Sequence, residues 1–238
     1  MKTFKILMIF GLLLFVASCT DYCMICSLNP FYTEKYITLM PEVEGTWKAT
    51  PIYSPKDSTD KVNVWEEVDT TSAWNIERYI SRETKKDVHG KDSIVFNPMN
   101  HYMVKLSSFS PDTSEYKFKM VLFRVKGVLY ADFMPEGNAI MNRSRFFEEN
   151  HFPVHTLARI KLEAGTLKFS WLGAEYMKEM IEKKRVRISY RWIEKSKRLL
   201  LTGTSEQLIN MIDRYAGQPR FIDWENQQAM LKLNAQNQ

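Results

Sequence analysis

The chain has 238 residues, of which 13% are aromatic and only nine are glycine, with a formal net charge of +5. That length and apolar content can bury one substantial core, which excludes a disordered class. The excess of Lys and Arg is too small to mark a nucleic-acid footprint, so no nucleic-acid partner is expected.

The chain opens with Met1, Lys2 and Lys5, an uncharged run from Ile6 to Val16, the small residues Ala17 and Ser18, and then Cys19. This is a signal-peptide layout. The apolar run is about half the ~20 residues that a spanning helix needs, and a polar Thr-Asp pair follows the cysteine, which argues against a permanent transmembrane anchor. Val16-Ala17-Ser18-Cys19 resembles the lipobox of bacterial lipoproteins, in which the cysteine is acylated and becomes the new N-terminus. Cys23 follows Tyr22 and Cys26 follows Ile25, so only Cys19 has the small residues such a site needs. Two or more acyl chains on one residue anchor stably where a single chain does not. The expectation is therefore a signal peptide over 1–18 and lipid attachment at Cys19. The mature chain then sits on an extracytoplasmic membrane face, the outer membrane where two are present. The alternative is ordinary cleavage near Ala17 or Ser18, which would leave Cys19 as a thiol.

Cys23-Met24-Ile25-Cys26 has the C-x-x-C spacing of a redox pair, half a zinc site or a local disulfide. A structural zinc wants four ligands and the chain has no fourth cysteine. A thioredoxin-like role would place the pair at a helix start, whereas here it lies in a segment read as a tether. An incidental or locally oxidised pair fits an exported chain.

Residues 19–43 read as that lipidated tether, 44–222 as a single β-rich domain and 223–238 as a polar C-terminal tail. Gly45-Thr46-Trp47 starts the first strand, and Ser54 to Asp69 reads as a long polar loop. Strand-like stretches follow at Trp74 to Ile80, His101 to Ser107, Tyr116 to Val125, Val128 to Met134, His155 to Leu162, Thr166 to Leu172, Val186 to Ile193 and Arg198 to Leu201. In two of them the alternation is strict: Leu167, Phe169 and Trp171 share one face, as do Val186, Ile188, Tyr190 and Trp192. Lys126-Gly127 and Ala164-Gly165 predict tight antiparallel hairpins. The expected fold is mainly β, an antiparallel meander curled into a barrel-like or sandwich-like sheet.

Two short helices are predicted in the C-terminal third. One covers Ala174 to Lys184, with Ala174, Met177, Met180 and Ile181 on one stripe. The other begins at Thr204, with Gln207 completing a capping box and Gly217 and Pro219 ending it. The basic run from Glu182 to Arg191 reads as a solvated helix end and outer strand face, with anionic lipid headgroups as the alternative partner.

The histidines are His89, His101, His151 and His155. His151 and His155 have the spacing of a helical metal pair, but Pro153 between them opposes a helix. Extended, they would lie ~13 Å apart, so no metal site is expected. His155 reads either as a satisfied polar residue at a strand start or as a general base paired with a carboxylate such as Asp132. Spacing does not select that pair over others. No G-x-S-x-G, H-E-x-x-H or phosphate-binding glycine loop occurs, so no catalytic residue and no cofactor is assigned.

Several segments together resemble an uncharacterised family of bacterial lipoproteins. They are SLNPFYTEK (Ser27 to Lys35), GTW (Gly45 to Trp47), GVLYADFMP (Gly127 to Pro135), FPVHTLARIKLEAGTLKFSWL (Phe152 to Leu172) and LLLTGTSEQLINMIDRYAGQPRFI (Leu199 to Ile222). The resemblance spans most of the mature chain and implies a shared fold; it transfers no catalytic residue. The functional expectation is a membrane-anchored, noncatalytic module that binds an apolar ligand or an envelope protein, with Trp171 or Trp192 on the inward aromatic face. The alternative is an envelope hydrolase using His155 or a thiol redox protein using Cys23 and Cys26.

Overall fold

The computed structural model describes residues 25–50, 72–86, 92–108, 115–136, 154–193, 198–218 and 220–233. Its main element is a closed eight-stranded antiparallel barrel. The strands run up and down in chain order: β2 (Gly45–Thr50), β3 (Ser72–Lys86), β4 (Asp92–Ser108), β5 (Glu115–Val125), β6 (Val128–Pro135), β7 (Thr156–Glu163) and β8 (Thr166–Leu172). A last strand, β11 (Ile222–Lys232), enters between β8 and β2 and closes the cylinder. The tight turns are those expected from sequence. Lys126 and Gly127 have φ of 50° and 79°, and Ala164 and Gly165 have 46° and 76°, the positive values that twist-matched hairpin turns require.

Alternation within the strands creates two cores. The inward set fills the barrel: Trp47, Ile76, Tyr102, Val104, Met120, Leu122, Leu167, Phe169 and Met230 are fully buried there. Eight strands leave a lumen just wide enough for such side chains or for one small ligand, and here side chains occupy it. The outward set on β5 to β8 includes Phe123, Val125, Tyr130, Leu157 and Leu172, and it is covered by an outer layer. That layer contains β1 (Ile25–Ser27), α1 (Ala174–Glu182), β9 (Tyr190–Ile193), β10 (Arg198–Leu201) and α2 (Ser205–Tyr215). β1, β10 and β9 form a small three-stranded sheet. The expected capping box starts α2: the Gln207 amide donates to Thr204 Oγ1 at 3.4 Å, and the Thr204 amide donates to Gln207 Oε1 at 2.9 Å.

Both domain boundaries read from sequence are corrected. Residues 25–43 belong to the folded body and not to a tether, because Ile25, Phe31 and Val43 are buried and β1 pairs in parallel with β10. A 3-10 turn at Pro41–Val43 packs against the barrel core: the Met40 amide donates to Tyr102 OH at 2.8 Å, and Trp47 Nε1 donates to the Val43 carbonyl at 2.8 Å. Gly45 follows with φ of 125°, a backbone conformation that residues with a Cβ rarely adopt, so the turn into β2 favours glycine. At the other end, 222–232 is a barrel strand and not a polar tail. Its backbone pairs with β8 along its length and with β2 from Ala229 to Lys232, and Ile222 and Met230 are buried. The strand expected over Val186 to Ile193 shortens to Tyr190–Ile193; Val186 and Ile188 are buried by the helices without joining a ladder. The loop expected over Ser54 to Asp69 lies outside the described residues.

Candidate functional site

Cys19 and Cys23 lie outside the described residues, as do His89 and His151. Cys26 is buried on β1 in register with Leu200. His101 stacks on Tyr79 with ring centroids 4.9 Å apart, and burial, then the nearby Lys119 charge, push its pKa down to about 4. Among the described residues no group of three or more His, Cys, Asp or Glu converges as metal ligands would.

The pair that spacing alone did not select is present. His155 Nδ1 and Asp132 Oδ1 lie 2.6 Å apart, with the imidazole N–H donating to the carboxylate. The register explains it: Asp132 stands opposite Leu157, so His155, two residues earlier, is its diagonal neighbour on the same outer face. Asp132 Oδ2 accepts from the Phe31 amide at 2.7 Å. The His155 backbone exchanges two 2.8 Å hydrogen bonds with Ser27. The Ser27 hydroxyl donates to the Leu201 carbonyl at 3.3 Å and accepts from the Asn29 amide at 3.2 Å. Serine, histidine and aspartate are thus neighbours, but not as in a nucleophilic triad: Ser27 and His155 join through their backbones, and the Ser27 hydroxyl bonds Leu201 and Asn29. Both carboxylate oxygens and the hydroxyl are spent on neighbouring groups, and all three side chains are buried under the outer layer. The arrangement is a clasp that fixes residues 27–31 to the barrel wall. Its charge reaches Tyr32, whose pKa rises to about 12, chiefly through burial and secondarily through Asp132.

Inside the barrel four rings cluster. Trp74 lies 5.2 Å from Phe169 and 6.0 Å from Phe133, and Phe133 lies 5.6 Å from Trp171. Trp171 is therefore on the inward face, as expected. Trp192 is not: it packs on the outer core, with Lys178 Nζ 5.7 Å from its ring. The two tryptophans belong to different cores and cannot line one pocket. A cleft of about 280 Å³ opens beside Trp192, between Lys178, Ile181, Glu182, Tyr190 and Leu199, and none of the clasp's Ser27, Asp132 and His155 lines it.

Among the described residues, the two most exposed large apolar side chains, Phe96 and Ile80, lie elsewhere. β4 extends well before His101, a stretch in which sequence alone gave no strand, and pairs with the end of β3 as a two-stranded ribbon. β2 pairs with β3 only over Ala73 to Ile76, and β5 pairs with β4 only over Tyr102 to Ser107. Beyond a register shift after Arg78, Ile80 faces Pro98, Arg82 faces Phe96, Thr84 faces Ile94 and Lys86 faces Asp92. Residues directly opposite one another share a face. Phe96 is 66% exposed, Ile80 53% and Ile94 46%. The signal that could have revealed the ribbon is the matched alternation of Ile80-x-Arg82-x-Thr84 with Ile94-x-Phe96-x-Pro98. Pro98 hid it, yet proline is tolerated in a strand that, among the described residues, has a neighbour there on one side only.

No family model, no curated protein and no solved structure matches the chain. Among the described residues no helix is long and apolar enough to cross a membrane.

Proposed function

We propose that the protein is a noncatalytic binding module of the bacterial cell envelope, anchored through lipid on Cys19, which acts through its outer surface and not through the barrel lumen. The observation that carries this reading is where the apolar side chains go. The lumen is filled by aromatic and aliphatic groups, whereas Ile80, Ile94 and Phe96 stand out on the ribbon. The lipobox-like Val16-Ala17-Ser18-Cys19 supports the anchor. Metabolic labelling with a clickable fatty acid tests it: wild type, Cys23→Ser and Cys26→Ser take up label and Cys19→Ser does not. Equal labelling of Cys19→Ser removes the anchor from the account.

The hydrolase reading draws on one specific feature, the hydrogen bond between Asp132 and His155. Against it stand the burial of the pair and the use of both carboxylate oxygens in fixing the chain. Native mass spectrometry of the protein purified from its own membrane separates these readings from ligand storage. A chain bearing only its acyl groups fits a surface-acting module, and a stoichiometric small molecule held in the barrel contradicts it.

A further inference from the structure

We infer that the β3–β4 ribbon is a second membrane contact, seating its apolar face at the headgroup boundary of an anionic bilayer. The face comprises Ile80, Ile94, Phe96 and Pro98, flanked by Arg82 and Lys86, with Asp92 the acidic residue on that side. The opposite face carries Ser81, Glu83, Lys85, Val95 and Asn97, and Lys85 stands 3.9 Å from Glu83. Arg78, at the root, donates to the Met99 carbonyl. Among the described residues, the apolar side is thus also the side with a basic excess. Phenylalanine and isoleucine gain by leaving water for the acyl boundary, while Arg and Lys place their stems along apolar surface and their charges among phosphates.

Size and charge select a bilayer over a protein. Two strands ~5 Å apart present a strip too narrow for the ~1,200–2,000 Å² that stable protein interfaces bury. A bilayer needs no shape match and rewards each side chain separately. Anionic headgroups are complementary to Arg82 and Lys86. The ribbon's outer edges are unpaired by β2 and β5, so deep insertion would strand backbone groups in hydrocarbon. The contact is shallow, with the edges still hydrated.

Nearness of the bilayer rests on the anchoring reading. Cys19 precedes Ile25, the first described residue, by six positions, a reach of at most ~20 Å. The ribbon itself projects by a comparable length, roughly 3.3 Å per residue.

The test uses the full chain in its own membrane, with Phe96→p-benzoylphenylalanine as a photoreactive probe and Glu83→p-benzoylphenylalanine as the control on the opposite face. Irradiation should give phospholipid adducts at position 96 in several-fold excess over position 83. In vesicles of phosphatidylcholine with phosphatidylglycerol, Arg82→Gln and Lys86→Gln should each lower the adduct yield by about fivefold, the effect of one basic charge near an anionic surface. Adducts to a second copy or to another protein overturn the inference, as does a lipid yield no greater than at position 83. Fatty-acid labelling of the same samples keeps the two readings apart. Lipid adducts without label on Cys19 remove the anchor and leave the ribbon, and label without adducts does the reverse.

Discussion

The inner and outer halves of the β3–β4 pair have the same alternation and opposite fates. In the inner half, Trp74, Ile76, Tyr102 and Val104 point into the barrel and are buried. In the outer half, Ile80, Ile94 and Phe96 continue the same pattern and are exposed. Composition does not separate them. The inner half is flanked by β2 and β5, which curl the sheet over its apolar side, and the outer half has neither neighbour. A period-two pattern therefore tells which side chains share a face, while the neighbouring strands decide whether that face is covered.

The largest expected effect sharpens this contrast directly. Phe169→Ala, in the lumen, should cost about 3–5 kcal/mol of unfolding free energy through lost burial and a residual cavity. Phe96→Ala, on the ribbon, should stay within about 0.5 kcal/mol, as surface substitutions do. Denaturant unfolding of the two variants gives the comparison, and equal losses would mean that the ribbon is packed and not free.

Next in size is the cover on the outside wall. Asp132→Ala leaves the Phe31 amide and the His155 imidazole without their acceptor, at about 1–3 kcal/mol for each buried group left unpaired. Hydrogen exchange should quicken at Phe31 and around Ser27, while the lumen strands keep their protection. Unchanged exchange at Phe31 would show that the clasp does not hold the segment.

The smallest effect sits where the two halves meet. His101 stacks on Tyr79 beside the register shift, with its folded pKa depressed to about 4 from the usual 6.5. Between those values the unfolded chain binds a proton that the folded chain does not, so acid favours unfolding there. The stabilisation is fully present above pH 6.5 and is lost as pH falls through about 4. His101 is only partly buried, so solvent screening keeps the contribution modest. His101→Gln should flatten that part of the stability profile, and a profile unchanged by the substitution would contradict the assignment.

Much of the barrel was legible because its strands bury one face and end in turns with strong signals. Thr166 to Leu172 matches β8 to the residue, with Leu167 and Phe169 buried as read. The Thr204 and Gln207 cap was legible because it depends on four consecutive residues alone. β11 was not, since its polar composition conceals a strand held by two ladders and, among the described side chains, by buried Ile222 and Met230. The segment before Gly45 looked like a tether because its fixing contacts, Phe31 to Asp132 and Ser27 to His155, join residues more than a hundred positions apart. The clasp itself needed the β6–β7 register, which sequence spacing does not contain. Val186 and Ile188 show the opposite error, an alternation satisfied by burial under helices.

The central claim is that the protein meets its surroundings through the ribbon while the lumen remains a packed core. Hydrogen–deuterium exchange of the full chain in vesicles containing phosphatidylglycerol, compared with vesicles of phosphatidylcholine alone, tests it most directly. Slower exchange in the anionic vesicles over residues 80–86 and 92–98, with the barrel strands unchanged, is the predicted result. Protection gained instead around Phe133 and Trp171, or no difference along the ribbon, would contradict the account.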